Sequence, residues 1–164
     1  MNDMHRIPTL VGRLWMGDWP NSREPLDQFN LVVNAAQIDN WSYPRLMLPT
    51  KYIELNLWDD DGFDDKEQEL VRDTARQIVA ALGYGAEVLV HCHQGWNRSG
   101  LVVARTLMFL GIDPETAIEV VKKNRHPMAL TNPTFTAWLM REGPSLQSEL
   151  AAQEEKDAIS ASDS

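Results

Sequence analysis

The chain has 164 residues, 43% of them hydrophobic, which suits one domain with its own buried core. No stretch is long and apolar enough to span a bilayer, and a single cysteine excludes an internal disulfide. A net charge of −9 argues against a nucleic-acid backbone or an anionic membrane as main partner, although one local basic cleft stays compatible with it. The opening "MNDMHRIPTLVGRL" has no apolar h-region, so no signal peptide is expected; with the lone thiol, this points to the cytoplasm.

In chain order, "GRLWMGDW" (12–19) reads as a short strand running into a turn, and "FNLVVNAA" (29–36) as a buried strand. "KYIELNLW" (51–58) alternates, with Ile53, Leu55 and Leu57 on one face, as a half-buried strand does. Residues 65–82 carry apolar side chains at helical spacing (Leu70, Val71, Ala75, Ile78, Val79, Leu82), with Asp64 and Asp65 to cap the start and Gly83 to end it. "AEVLVH" (86–91) is a further buried strand, and 99–110 is apolar enough for a buried helix. Two more helices, 113–124 and 132–142, each begin with a capping residue and a proline: Asp113 with Pro114, Asn132 with Pro133. Strands followed by helices imply an α/β layer architecture. From Gly143 the pattern dissolves into a polar, acidic, Ala/Ser-rich stretch that is expected to be frayed or disordered.

The lone thiol sits in "VLVHCHQGWNRSGLVVARTLMFL" (88–110), between a strand and an apolar helix. A loop in that position aims several backbone N–H groups at one spot, and the helix dipole adds to them, so the spot favours an anion. Arg98 supplies a planar fork that matches two phosphate oxygens. A thiol at the base of such a cradle ionises readily and becomes a nucleophile facing the bound phosphate. A buried structural cysteine would leave Gly95, Arg98 and Ser99 at these offsets unexplained. A metal site from His91, Cys92 and His93 is disfavoured, because adjacent strand residues point to opposite faces. Neither metal nor cofactor is expected.

"HCHQGWNRS" resembles the His-Cys-(five residues)-Arg-Ser/Thr signature of the cysteine-based protein tyrosine phosphatases, and the rest resembles their dual-specificity branch. "RLWMGDW", "FNLVVNAA", "YIELNLWDDD" and "NRHPMALTNPTF" resemble that branch's successive segments, over roughly residues 10–142. The resemblance implies a single α/β domain with a central, mostly parallel (mixed) sheet flanked by helices. It divides the chain into an N-terminal extension (1–9), a catalytic domain (10–142) and an acidic tail (143–164).

By the same resemblance Cys92 is the nucleophile and Arg98 the phosphate clamp. The backbone amides of His93, Gln94, Gly95, Trp96, Asn97 and Arg98 complete the cradle. Ser99 hydrogen-bonds the sulfur, His91 holds the loop and helps keep the thiolate without transferring protons, and Asn132 either braces the loop or only caps a helix. The family needs an acid to protonate the leaving oxygen. Aligning Tyr52 and Leu55 with the family strand places it at Asp59, whereas "DG" at Asp61-Gly62 resembles a subgroup whose acid directly precedes glycine. In an extended chain Asp59 and Asp61 share a face and Asp60 points away. Trp96 either stacks on a substrate ring or packs against neighbouring helices.

The implied activity is hydrolysis of phosphomonoesters on proteins, phosphotyrosine and also phosphoserine or phosphothreonine, through a phosphocysteine. Asn97 before the arginine also resembles RNA 5′-triphosphatases of the same superfamily, whose basic RNA channel fits poorly with an acidic chain. A non-catalytic phosphate-binding module is the third reading, against which Cys92 and Arg98 both stand. No feature of the sequence sets an oligomeric state.

Overall fold

Among the described residues, five short strands form one sheet in the order β1-β2-β5-β3-β4. They are β1 (Met4–Ile7), β2 (Arg13–Gly17), β3 (Leu31–Asn34), β4 (Lys51–Glu54) and β5 (Glu87–His91). The helices are α1 (Asp65–Gly83), α2 (Arg98–Phe109), α3 (Pro114–Asn124), α4 (Pro133–Arg141) and α5 (Leu146–Ser162). This computed structural model describes residues 4–20, 26–37, 50–142 and 146–162. β2, β5, β3 and β4 run parallel, and only β1 pairs antiparallel, against β2.

The period of two along each strand decides what lies on either side of the sheet. Leu14, Met16, Leu31, Val33, Val88 and Val90 point into the large core, where residues of α1 to α4 cover them. Val32 and Leu89 face the other way and close a smaller cluster with Leu26 and Phe29, against which Met4, Trp15 and Tyr52 pack. α2 is the centre of the helical layer: every side chain from Ser99 to Phe109 is buried, as befits a helix apolar nearly all round. Its one charged member in that run, Arg105, donates Nε to Glu142 Oε1 at 3.2 Å, and Arg72 of α1 pairs with the same carboxylate. Glu142 therefore ties the end of α4 to α1 and α2. Burial opposes its charge, but the Arg72 hydrogen bond and the charges of Arg105 and Arg72 outweigh it and hold its pKa below the ordinary glutamate value.

The caps follow the sequence closely. Asp64 and Glu67 form a reciprocal capping box at the start of α1. Asp113 and Asn132 cap α3 and α4, with Pro114 and Pro133 at the first helical positions. At the end of α1, Gly83 stays helical, and Gly85 is the glycine that takes the left-handed turn, with φ +81°.

Two stretches depart from the sequence expectation. Part of the 1–9 extension is a sheet strand: β1 buries Ile7 completely and its backbone pairs with β2 from Gly17 back to Leu14. Four residues are too few for periodicity to reveal. The stretch expected to be frayed or disordered contains α5. It is rich in Ala, Glu and Gln, which favour helix, but its residues 153–162 are all exposed. Among the described residues no helix is long and apolar enough to cross a membrane.

Candidate active site

β5 ends at His91 and α2 begins at Arg98, so the intervening loop lies where the central strand hands over to the buried helix. Each carbonyl from His93 to Asn97 is engaged away from the loop's centre. Trp19 N–H donates to His93 O (3.0 Å), and the Arg125 guanidinium to Gln94 O and Gly95 O (3.0 Å each). Leu130 N–H donates to Trp96 O (3.2 Å), and Leu101 N–H to Asn97 O (2.8 Å). In a planar trans peptide the N–H points opposite to the preceding C=O. Tying the five carbonyls outward therefore turns the amides of Gln94 through Arg98 inward. A ring of inward donors at a helix N-terminus suits a tetrahedral oxyanion.

Gly95 is required twice over. Its φ is +69°, and a Cβ there would lie 2.3 Å from Gly17 O, a backbone atom that cannot move aside.

Cys92 lies at the floor of this ring, 2% exposed. Its Sγ accepts from Gly95 N–H at 3.2 Å and lies 3.3 Å from Ser99 Oγ. His91 is fully buried beneath it, edge-on to Trp19 with centroids 5.4 Å apart. Burial, more than any neighbour, pushes the His91 pKa down to about 3, with His93 adding to the effect and a backbone hydrogen bond at Cys92 opposing it. The imidazole is therefore neutral near pH 7. It packs against Trp19 and, neutral, carries no cationic charge to the sulfur.

Arg98 reaches across to the segment after β4. Its Nη1 donates to Leu57 O at 3.1 Å, and its buried Nε has no hydrogen-bond partner in the protein. Leu55 and Leu57 are buried as the alternation implied, but β4 ends at Glu54 and Asn56 takes φ +53°. Residues 59–61 bend rather than stay extended. The three aspartates thereby part company. Asp59 lines a cavity of about 270 Å³ with Cys92, His93, Gln94, Trp96, Asn97 and Arg98. Asp60 folds back to accept from Gly62 N–H at 2.9 Å, and Asp60 and Asp61 line only a neighbouring, more open cavity with Asn132 and Thr134, which Asp59 borders as well. Both oxygens of Asp59 are held: Oδ2 accepts from Asn97 Nδ2 at 3.0 Å and Oδ1 from Asn132 Nδ2 at 2.8 Å.

The structure thus brings together Asp59, Cys92, Arg98 and Ser99, with His91 beneath them, and leaves Asp61 to one side. Asn132 caps its helix, Oδ1 accepting from Thr134 N–H at 2.9 Å, while its Nδ2 donates to Asp59 and to the Asp60 carbonyl, in the turn after β4 and not in the Cys92 loop. Trp96 lines the Cys92 cavity and its ring stacks on His126 in the segment after α3, centroids 4.7 Å apart and planes 11° from parallel. Sequence reasoning assigned no role to Arg125 or Trp19. Arg125 is 5% exposed, and an arginine so buried must serve carbonyls or carboxylates, but its burial cannot be read from a polar stretch of sequence.

Three comparisons bear on this arrangement. The model of the dual specificity phosphatase catalytic domain matches residues 14–143. A search of curated proteins finds no match. Among solved structures, human DUSP28 superposes with a TM-score of 0.69 at 23% identity, covering 85% of this chain and 91% of its own. DUSP15 gives 0.69 at 22%, covering 92% and 95%. PTPMT1 in complex with PI(5)P gives 0.70 at 20%, covering 93% and 99%. At these identities the structural likenesses establish the shared fold.

Proposed function

The chain belongs to the dual specificity phosphatase family, a cysteine-based phosphatase family, and from that premise we propose that it hydrolyses phosphomonoesters on proteins through a phosphocysteine at Cys92. Phosphotyrosine is the leading substrate, with phosphoserine and phosphothreonine beside it. The reading rests on one observation: Cys92 Sγ lies at the floor of a ring of inward amides, in a cavity it shares with Arg98 and Asp59.

In the first step the Cys92 thiolate attacks phosphorus and an S–P bond forms as the bond to the leaving oxygen breaks. Asp59 gives its proton to that oxygen, so the alcohol or phenol leaves neutral. In the second step water attacks phosphorus and gives a proton to the Asp59 carboxylate. The S–P bond breaks, phosphate departs and the thiolate returns, with Ser99 Oγ within hydrogen-bonding distance of the sulfur. The inward amides and the Arg98 guanidinium hold the equatorial oxygens and stabilise the charge that builds on them.

Charge supports a phosphoprotein over a polyphosphorylated substrate. Among the described residues lining the Cys92 cavity and its neighbour, Arg98 is the one arginine, lysine is absent, and Asp59, Asp60 and Asp61 sit at the edge. RNA 5′-triphosphates and multiply phosphorylated inositol lipids want several cations there. A turnover panel tests this: phosphotyrosine and phosphothreonine peptides, phosphoinositides and 5′-triphosphorylated RNA. The phosphopeptides are expected to give the highest kcat/KM. A marked preference for RNA or for lipid would overturn the substrate class. Acid-quenched turnover is expected to leave phosphate on the Cys92 peptide, and its consistent absence would overturn the mechanism.

A further inference from the structure

We propose that Asn97 is a positioning residue that latches Asp59 over the Cys92 cavity; this rests on the reading of Asp59 as the acid. An asparagine at the residue just before a helix normally turns its side chain back to cap the helix's own N–H groups. Asn97 does not. It occupies the N-cap position of α2 with helical backbone (φ −91°, ψ −60°) and makes no side-chain cap hydrogen bond. Both ends of its amide are used elsewhere. Nδ2 donates to Asp59 Oδ2 at 3.0 Å, and Oδ1 accepts from the Asn132 backbone N–H at 3.0 Å.

The result is a closed three-membered link. Asn97 belongs to the Cys92 loop, Asp59 to the turn after β4, and Asn132 to the start of α4. Asn132 Nδ2 completes the link on the other Asp59 oxygen at 2.8 Å. With Asn97 diverted, Asp59 is held by its two oxygens in one orientation. Each carboxylate oxygen has two acceptor positions, so one amide donor on each still leaves a place for the catalytic proton. The latch therefore orients the acid without competing for the proton.

The experiment compares kcat/KM on phenyl phosphate, whose leaving group needs protonation, with that on p-nitrophenyl phosphate, whose leaving group needs little. Wild type, Asn97→Ala, Asn97→Asp, Asp59→Asn and the Asn97→Ala/Asp59→Asn double variant are measured, with vanadate binding as a check on the cradle. Asn97→Asp keeps the acceptor for the Asn132 N–H but sets a second carboxylate against Asp59, so it breaks the latch by repulsion where Asn97→Ala breaks it by deletion, and vanadate binding shows that the fold survives in both. Both Asn97 variants are expected to lose roughly 10²-fold more activity on phenyl phosphate than on the activated ester, the size expected of a misplaced catalytic group. The double variant is expected to discriminate no more than Asp59→Asn alone, because the two changes remove one function. Equal losses on both esters in the Asn97 variants, or additive discrimination in the double, would overturn the latch while leaving Asp59 as the acid. Failure of Asp59→Asn itself to discriminate would overturn the acid assignment, and the latch with it.

Discussion

The loop at 92–97 and the turn at 59–61 border the same cavity, yet the fold holds them by different means. The loop is anchored from behind by a β2–loop amide, a nearly buried arginine, the Leu130 amide and the first turn of α2. The turn is held from the side, by two asparagine amides on an aspartate in exposed hydrogen bonds. Displacing a loop carbonyl would strand a buried donor or acceptor, which costs about 1–3 kcal/mol each time. Releasing Asp59 exchanges exposed hydrogen bonds for water, each worth roughly 0.5–1.5 kcal/mol net. The contrast teaches a division of labour. In the proposed mechanism, the donors that meet charge in the transition state are built into the core, where no reorganisation is needed at the moment of reaction. The group that must meet leaving groups of different shape is fastened by a few reversible contacts.

The sharpest way to break this contrast is at the sulfur. Cys92→Ser is expected to take turnover to background while vanadate binding survives, since the amide ring and Arg98 remain; a calorimetric titration beside a turnover assay reads both. Substantial turnover in that variant would remove Cys92 from the chemistry.

Asp59→Asn comes next. It is expected to lose about 10²–10⁴-fold on phenyl phosphate and far less on the activated ester. Asp61→Asn, whose side chain lines the neighbouring cavity, is expected to show little discrimination. A reversal of the two would move the acid to Asp61 and place the turn in the subgroup whose acid precedes glycine.

A smaller effect is expected at the anchor. Arg125→Met keeps the side chain's bulk and removes both donors to Gln94 O and Gly95 O. Charged hydrogen bonds of this kind contribute about 1.5–3 kcal/mol each. Vanadate affinity is expected to fall roughly 10-fold or more, as part of that loss reaches the ring. Unchanged affinity would mean the loop keeps its shape without its anchor.

The gentlest probe is acid. Glu142 has a lowered folded pKa, so its contribution to stability is full above the ordinary glutamate value and is lost as pH falls through the folded one. His91 acts in the same direction over a higher window. Its folded pKa is about 3 against an ordinary 6.5, so between them the unfolded chain binds the proton and stability falls as pH falls. Urea midpoints are expected to decline from pH 7 toward pH 4, with Glu142→Gln flattening the lower part of the curve. A midpoint independent of pH would mean that neither group is held as the structure places it.

Much of this was open to reading from residue types alone. Short apolar runs identified β2, β3 and β5, alternation β4, helical spacing and capping pairs α1, α3 and α4, and a longer apolar run α2, because local patterning and the caps' own hydrogen bonds are properties of neighbouring residues. The loop signature brought Cys92, Gly95, Arg98 and Ser99 together for the same reason: they are neighbours in sequence, and a strand-to-helix turn folds them onto one spot. The relations across the chain were decided only by tertiary structure. Arg125 lies about thirty residues beyond the loop it anchors. Asp59 is separated from Asp61 by a bend that a period-two pattern does not contain, and it is held by partners 38 and 73 residues away. Asn97 stands at the N-cap position of α2, yet its amide is used on two other segments. The physical reason is that a long-range hydrogen bond depends on how separate elements pack against a shared core, and no local pattern encodes that packing.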